Sequence, residues 1–350
     1  MELKNLKLKI LIICLSGIGN TILFTPSLRM LRKAAPKAEI TLLVRNQSFA
    51  ECIAGTTFVN KIVVFDGNIL MKLTTLQWLR KQQYDISITA FPSNRHEFNL
   101  FAYLIGAKRR ITHRYKVGNA LSDLQTEFVA ADEKLHDVEN NINLVEHLGI
   151  STEKEKRELI FETSSQDEKK AVEFLRRERL SKAALVGIHP GTSKTALYRR
   201  WPRRSFSELI NQIFAKHEKA RVLLFEGPDE PGLAADILRG IGEKSKVTIV
   251  KDLSLKENAA IIWHCKLFIS TDSGLGHIAA AKNVPVIALF GPANPNRTKP
   301  FGKKVNVIQK SPVLIKYPFY STNPEPKGDY KESLEKITVE DVMKEVERFL

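Results

Sequence analysis

Residues 267–302 read LFISTDSGLGHIAAAKNVPVIALFGPANPNRTKPFG, and this stretch decides the fold class. The apolar run Leu267-Phe268-Ile269 suits a buried strand, and Thr271-Asp272-Ser273-Gly274 supplies turn and N-cap chemistry. Gly276 to Ala281 is Ala-rich and helical, and Val284 to Phe290 reads as a second buried strand. Strand, polar turn, helix and strand form a βαβ unit, which requires a parallel sheet. A helix beginning at Ser273 or Gly274 aims unpaired N–H groups and a partial positive charge past the strand end, where an anion such as a diphosphate fits. The small residues allow close backbone approach. Asp272 can hold a hydroxyl or orient the turn, and His277 can donate to an oxygen. An ordinary capped helix with a satisfied histidine is the plainer alternative for the same residues.

Around this unit, 350 residues favour two domains. With 43% hydrophobic and 27% charged residues, the chain has apolar material for two buried sheets. A net charge of +15 calls for an anionic partner: nucleic acid, a phosphorylated glycolipid or a membrane surface. No helix-turn-helix or aromatic-basic RNA pattern accompanies the charge, which argues against nucleic acid. Cys14, Cys52 and Cys265 form no spaced pair, so buried thiols are expected rather than a disulfide or a metal site. Lys4, Lys7 and Lys9 precede the apolar run Ile10–Leu15, which is short for a signal peptide and suits a first strand. No run approaches the roughly 18 apolar residues of a membrane span.

Upstream, strand Lys9–Leu15 enters the tight turn Ser16-Gly17-Ile18-Gly19-Asn20. A helical segment follows to about Lys33, with Pro26 capped by Thr25 or marking a kink. Strands are expected at 39–44, 61–65, 84–90 and 109–112, and a last one at 158–161. Helices fall at 71–82, 95–105, 136–148 and 165–179. Asn20, Asp66, Ser93 and the basic run Lys108–Lys116 are candidates for one rim of a doubly wound domain, at the carboxyl ends of its strands. That run is either a solvated face or a seat for acceptor phosphates.

A second α/β series starts with strand 183–188 and the loop His189-Pro-Gly-Thr-Ser, continuing to Trp201-Pro202. It runs through strands at 221–225 and 247–250 into the opening unit, then to a short strand at 305–308. Residues 311–329 hold Pro312, Pro318, Pro324 and Pro326 and should be irregular. A closing amphipathic helix has Thr338 as N-cap, with Glu340 and Asp341 in its first turn.

Three segments together resemble glycosyltransferase family 9, the ADP-heptose:lipopolysaccharide heptosyltransferases. They are Leu15–Pro26, then His189–Ser193 with Arg199-Arg-Trp-Pro202, and Ser270–His277 with Phe290-Gly-Pro292. The resemblance implies a GT-B architecture of two Rossmann-like domains facing across a cleft. Residues 1–165 would form the acceptor-side domain and 166–325 the nucleotide-sugar domain, with 326–350 packing back on the first. It implies inverting, metal-independent transfer without a cofactor, using ADP-heptose as co-substrate. The acceptor would be a lipopolysaccharide core or related envelope glycan, met by a monomer at the cytoplasmic face of the inner membrane.

Residue by residue, the resemblance places the donor diphosphate against the backbone of Ser273, Gly274, Leu275 and Gly276, beside Asp272 and His277. Thr192 and Ser193 would hydrogen-bond phosphate oxygens. Arg199, where the family usually has Lys, would neutralise charge on the leaving group. Asp229 or Glu230 would reach the ribose. Gly17 and Gly19 shape the turn where the family carries its catalytic Asp, and here that position is Asn20. An amide cannot accept a proton at neutral pH. Either Asp66, His96 or Glu97 serves as base, or the transition state needs no strong base, or the protein is a catalytically silent nucleotide-sugar binder. The cysteines that many relatives carry after the Gly-Pro motif are also missing.

Overall fold

A computed structural model describes residues 3–93, 95–115, 121–314 and 330–350. The described residues up to Glu162 form one compact unit and those from Thr163 onward form another, where the expected boundary was 165/166. Part of the basic run (Lys116) and most of the proline-rich stretch (315–329) lie outside the described residues.

The first domain has strands β1 (Lys9–Cys14), β2 (Glu39–Val44), β3 (Lys61–Val64), β4 (Ile86–Thr89), β5 (Arg109–Arg114) and β6 (Glu127–Ala130). Their order is β3-β2-β1-β4-β5-β6, every pair parallel. The second domain has β7 (Ala184–His189), β8 (Ala220–Phe225), β9 (Val247–Val250), β10 (Leu267–Thr271), β11 (Val286–Phe290) and β12 (Val305–Gln309). Its order, β12-β11-β10-β7-β8-β9, repeats that of the first, again all parallel. The central strands are covered on both faces, which is why β1 and β10 read as unbroken apolar runs rather than alternating ones. The order in which strands are added reverses between β1 and β4 and between β7 and β10. The crevices beyond those strand ends are where such sheets bind ligands.

Two expectations need correction. The sixth strand of the first domain is Glu127–Ala130, and residues 158–161 form no strand. β6 is a half-exposed edge strand tied to β5 by the Arg109–Glu127 ion pair at 2.6 Å, so it lacks the apolar signature of its neighbours. Leu159 and Phe161 are apolar because they are buried, while the Ile160 amide donates to Thr25 Oγ1 at 3.0 Å instead of entering the sheet. The closing helix Val339–Val346 belongs to the core of the second domain, not the first. Its Val339, Val342, Met343 and Val346 join the cluster of Phe206, Leu209 and Ile213. Trp201 Nε1 donates to Ile337 O at 2.9 Å and anchors the approach to that helix. The basic run, as far as described, keeps Lys108, Arg109 and Arg114 exposed, in line with a solvated face, while making contacts within its own domain. Lys108 pairs with Asp85, Arg110 donates to Leu124 O and Ala107 O, and Arg114 stacks on Phe128.

Pro26 marks a kink. Helix Ile18–Leu23 ends and Thr25–Ala34 begins with Pro26 in its first turn, while Thr25 Oγ1 donates to Ile22 O at 2.7 Å. Thr338 and Asp341 make a reciprocal capping box at the closing helix. All three cysteines are buried thiols outside any disulfide, and burial pushes Cys14 to about 11 and Cys265 to about 12. No helix among the described residues is long and apolar enough to cross a membrane.

Candidate functional site

The second domain's site forms where β7 and β10 end side by side. β10 delivers Asp272 and Ser273, and helix Gly274–Ala281 starts at once with Ser273 as N-cap. The Ser273 hydroxyl does not cap the helix, so the amides of the first turn keep no side-chain partner at the cap. Close packing beneath explains the glycines. A Cβ on Gly276 would come within 2.5 Å of Ser270 Oγ, and one on Gly191 within 2.2 Å of Glu230 Oε1.

The β7 end supplies His189, which holds the site together. Its Nδ1 lies 2.8 Å from Ser273 Oγ and its Nε2 2.9 Å from Glu230 Oε1. Thr271 Oγ1 adds a bond to Gly191 O at 2.8 Å. Burial works to raise the Glu230 carboxyl, but His189, the Gly227 N–H at 2.8 Å and Arg200 outweigh it and hold the group below its ordinary range. Arg200 stands 3.9 Å from Glu230 Oε2 and donates to Thr192 O at 2.8 Å.

Arg199 points the other way. Its Nη1 lies 3.0 Å from Asp272 Oδ2. Burial lifts the Asp272 carboxyl above the usual range, and the guanidinium pulls against that. Burial alone would lower Arg199, yet Asp272 and Tyr198 raise it. His277 is buried one helical turn along. Loss of water drives it down to about 4, so it is a neutral imidazole near pH 7, and its Nδ1 has no hydrogen-bond partner among the described residues. The domain therefore brings Arg199, Asp272, Ser273, Gly274, Leu275, Gly276 and His277 to one strand edge.

Two expected donor-side residues have other work in this state. Thr192 is buried, donates to Ala196 O at 2.9 Å and shapes its own loop, whereas Ser193 is exposed. Glu230 is committed to His189 and Gly227, while its neighbour Asp229 is exposed. His189 and Arg200 were not foreseen as functional. Only their place inside the quoted motif hinted at them.

In the first domain, Gly17 follows β1 with an extended backbone and caps the helix that carries Gly19 and Asn20. Ser16 Oγ donates to Pro92 O at 2.9 Å and ties this turn to the β4 end. The Asn20 side chain is half-buried. Asp66, His96 and Glu97 follow β3 and β4 on the same carboxyl edge. Asp66 Oδ1 accepts from Gly67 N at 2.7 Å, and Glu97 pairs with Arg95 at 3.4 Å. Behind them Ser93 Oγ accepts from Thr112 Oγ1 and its amide donates to Tyr115 Oη. Among the described residues no group of three or more His, Cys, Asp or Glu is placed to hold a metal ion.

Two doubly wound six-stranded parallel sheets define a Rossmann-type, GT-B-like protein. A sequence model of glycosyltransferase family 9 (heptosyltransferase) matches residues 73–317, and the chain belongs to that family. It is 29% identical over 173 residues to lipopolysaccharide heptosyltransferase 2 of Salmonella typhimurium, covering 49% of this chain and 48% of the relative. The matched stretch thus spans about half the length of that relative. Among solved structures, a family 9 glycosyl transferase from Veillonella parvula superposes with a TM-score of 0.80 at 22% identity, covering 100% of this chain and 98% of the other. E. coli ADP-heptose lps heptosyltransferase II gives 0.74 at 23% identity, covering 97% and 98%.

Proposed function

We propose that the protein is an inverting glycosyltransferase that moves a sugar, heptose from ADP-heptose, onto a lipopolysaccharide core or related envelope glycan. The observation that carries this is the helix start at Ser273–Gly276 with a guanidinium one ion pair away. Displacing a nucleoside diphosphate from an anomeric carbon builds negative charge on the leaving phosphate. Free helix amides and Arg199, released from Asp272, answer that charge without a metal. Ser193 and Ser273 offer hydroxyls to phosphate oxygens, and exposed Asp229 is better free than Glu230 to meet a ribose. Direct attack by the acceptor hydroxyl on the far face of the anomeric carbon inverts it. The names of the relatives support heptose and lipopolysaccharide as first substrates to try.

The acceptor hydroxyl must lose a proton, and Asn20 can orient it but not accept the proton. Asp66, His96 and Glu97 are the candidates on the same sheet edge. Asn20 also motivates the second reading, a nucleotide-sugar binder without turnover. Purified protein mixed with ADP-heptose and an acceptor separates the two: ADP release by the wild type supports transfer. Release only after Asn20→Asp supports the silent binder.

We further infer a monomer that works against an anionic lipid surface at the cytoplasmic face of the inner membrane. The helix Ile69–Lys81 opens with Ile69, Leu70, Met71 and Leu73 at 69%, 68%, 55% and 48% exposure. So many large aliphatics in one open turn are unusual on a soluble surface. No acid lies between Asp66 and Asp85, while Lys72, Arg80 and Lys81 do. An apolar turn flanked by cations suits insertion among anionic headgroups.

A further inference from the structure

The loop after β7 that carries Arg199 is fastened at two points to the closing segment of the chain. Just before Arg199, the Tyr198 ring lies 6.1 Å from the Tyr330 ring, tilted by 52°. That is an ordinary separation for an aromatic pair. Just after it, Trp201 Nε1 donates to Ile337 O at 2.9 Å. Between the two points the closing segment packs on the Phe290-Gly-Pro292 motif. A Cβ on Gly291 would come within 3.1 Å of Leu334 Cγ, and Leu334 is fully buried. Gly291 leaves room for Leu334, which accounts for a motif residue that the diphosphate seat does not use.

Arg199 itself is held with little direction. Its Nη1 stands 3.0 Å from Asp272 Oδ2, yet that oxygen has no aligned hydrogen-bond donor among the described residues. The buried Arg199 Nε likewise has no acceptor among them. Coulomb attraction sets where the charge sits, not which way the planar fork faces. A contact with direction is the Tyr198 ring, whose centroid lies 5.6 Å from the guanidinium carbon. That is inside the roughly 6 Å reach of a cation–π contact.

We propose that Tyr198 is a positioning residue for Arg199, braced by Tyr330, so that the closing segment of the chain helps to aim the guanidinium at the donor diphosphate. Asp272 keeps the charge at the strand end, and the Tyr198 ring sets the plane of the fork. Tyr330, the residue before helix Lys331–Glu335, keeps that ring from turning away. The proposal rests on the diphosphate reading of this seat and adds what aims its cation.

Calorimetric titration of ADP into single and double variants tests this. Tyr198→Ala should weaken ADP by about two- to fivefold, the worth of a cation–π contact at a partly open site. Tyr330→Ala should weaken it in the same direction by a smaller factor. Tyr198→Phe keeps the ring and should bind ADP as the wild type does. With Arg199→Ala already in place, neither alanine substitution should weaken ADP further, because a residue that acts through Arg199 has nothing left to position. The same loss with and without Arg199 would mark a merely structural role and overturn the proposal. Equal losses in Tyr198→Phe and Tyr198→Ala would overturn it too, by assigning the effect to the hydroxyl. If Tyr198→Ala does not fold, Tyr330→Ala carries the same cycle. ADP binding that Arg199→Ala weakens and neither tyrosine variant does removes this proposal alone. No ADP binding by the wild type removes the diphosphate reading, and this proposal with it.

Discussion

Arg199 and Asp272 meet at 3.0 Å at the end of β10, and on the proposed function this contact holds the cation beside the leaving group. The carboxylate is the more buried partner, with 8% of its side chain exposed against 29% for the arginine. The guanidinium is therefore the half of the pair free to turn toward a ligand. Arg199→Ala should lower kcat by about 10²–10³-fold, the usual cost of removing one transition-state donor. Arg199→Lys, which keeps the charge but not the bidentate fork, should retain most of the turnover. Equal loss in both would show that geometry rather than charge is what matters.

Gly276 is required by packing. Gly276→Ala drives a methyl to 2.5 Å from Ser270 Oγ and should cost about 1–3 kcal/mol, seen as a lowered Tm. Ser270→Ala removes the obstructing oxygen, so the double variant should recover most of that loss. Additive losses would place the strain elsewhere.

Glu230 should give the second domain an acid-sensitive component. Its folded value lies below the 4.5 of a free glutamate, so its stabilisation is complete above that value and is lost as pH falls through the depressed one. Chemical denaturation of Glu230→Gln should show a shallower fall in stability below about pH 4.5 than the wild type. Other depressed carboxylates, including Glu127 and Glu257, keep the slope from vanishing.

The exposed turn predicts lipid binding. Wild-type protein should co-sediment with vesicles containing anionic lipid and not with purely zwitterionic ones. Serine at Ile69, Leu70 and Met71 should abolish this with Tm unchanged, because the three side chains are exposed. A self-associating wild type that the same substitutions convert to monomer would assign the patch to a second copy instead.

The parallel sheets were legible because their central strands are buried on both faces and leave unbroken runs such as 10–15 and 267–269. The edge strand Glu127–Ala130 was not, since one partner strand and half-exposure leave little apolar signal. The closing helix announced its cap and its apolar stripe, but not which core receives it. That depends on Trp201 reaching Ile337, 136 residues away. The helix start at Ser273 was readable from local turn chemistry. The His189 bonds to Glu230 and Ser273 span 41 and 84 residues, and no spacing rule links them.

The central claim is that the Ser273–Gly276 helix start with Arg199 seats a nucleoside diphosphate. Calorimetric titration of ADP and AMP into wild type and Arg199→Ala tests it most directly. The account predicts that ADP binds, that AMP binds far more weakly, and that the substitution weakens ADP by at least about tenfold, the equivalent of 1.4 kcal/mol. Absence of ADP binding, or ADP affinity unchanged in a folded Arg199→Ala, would contradict it.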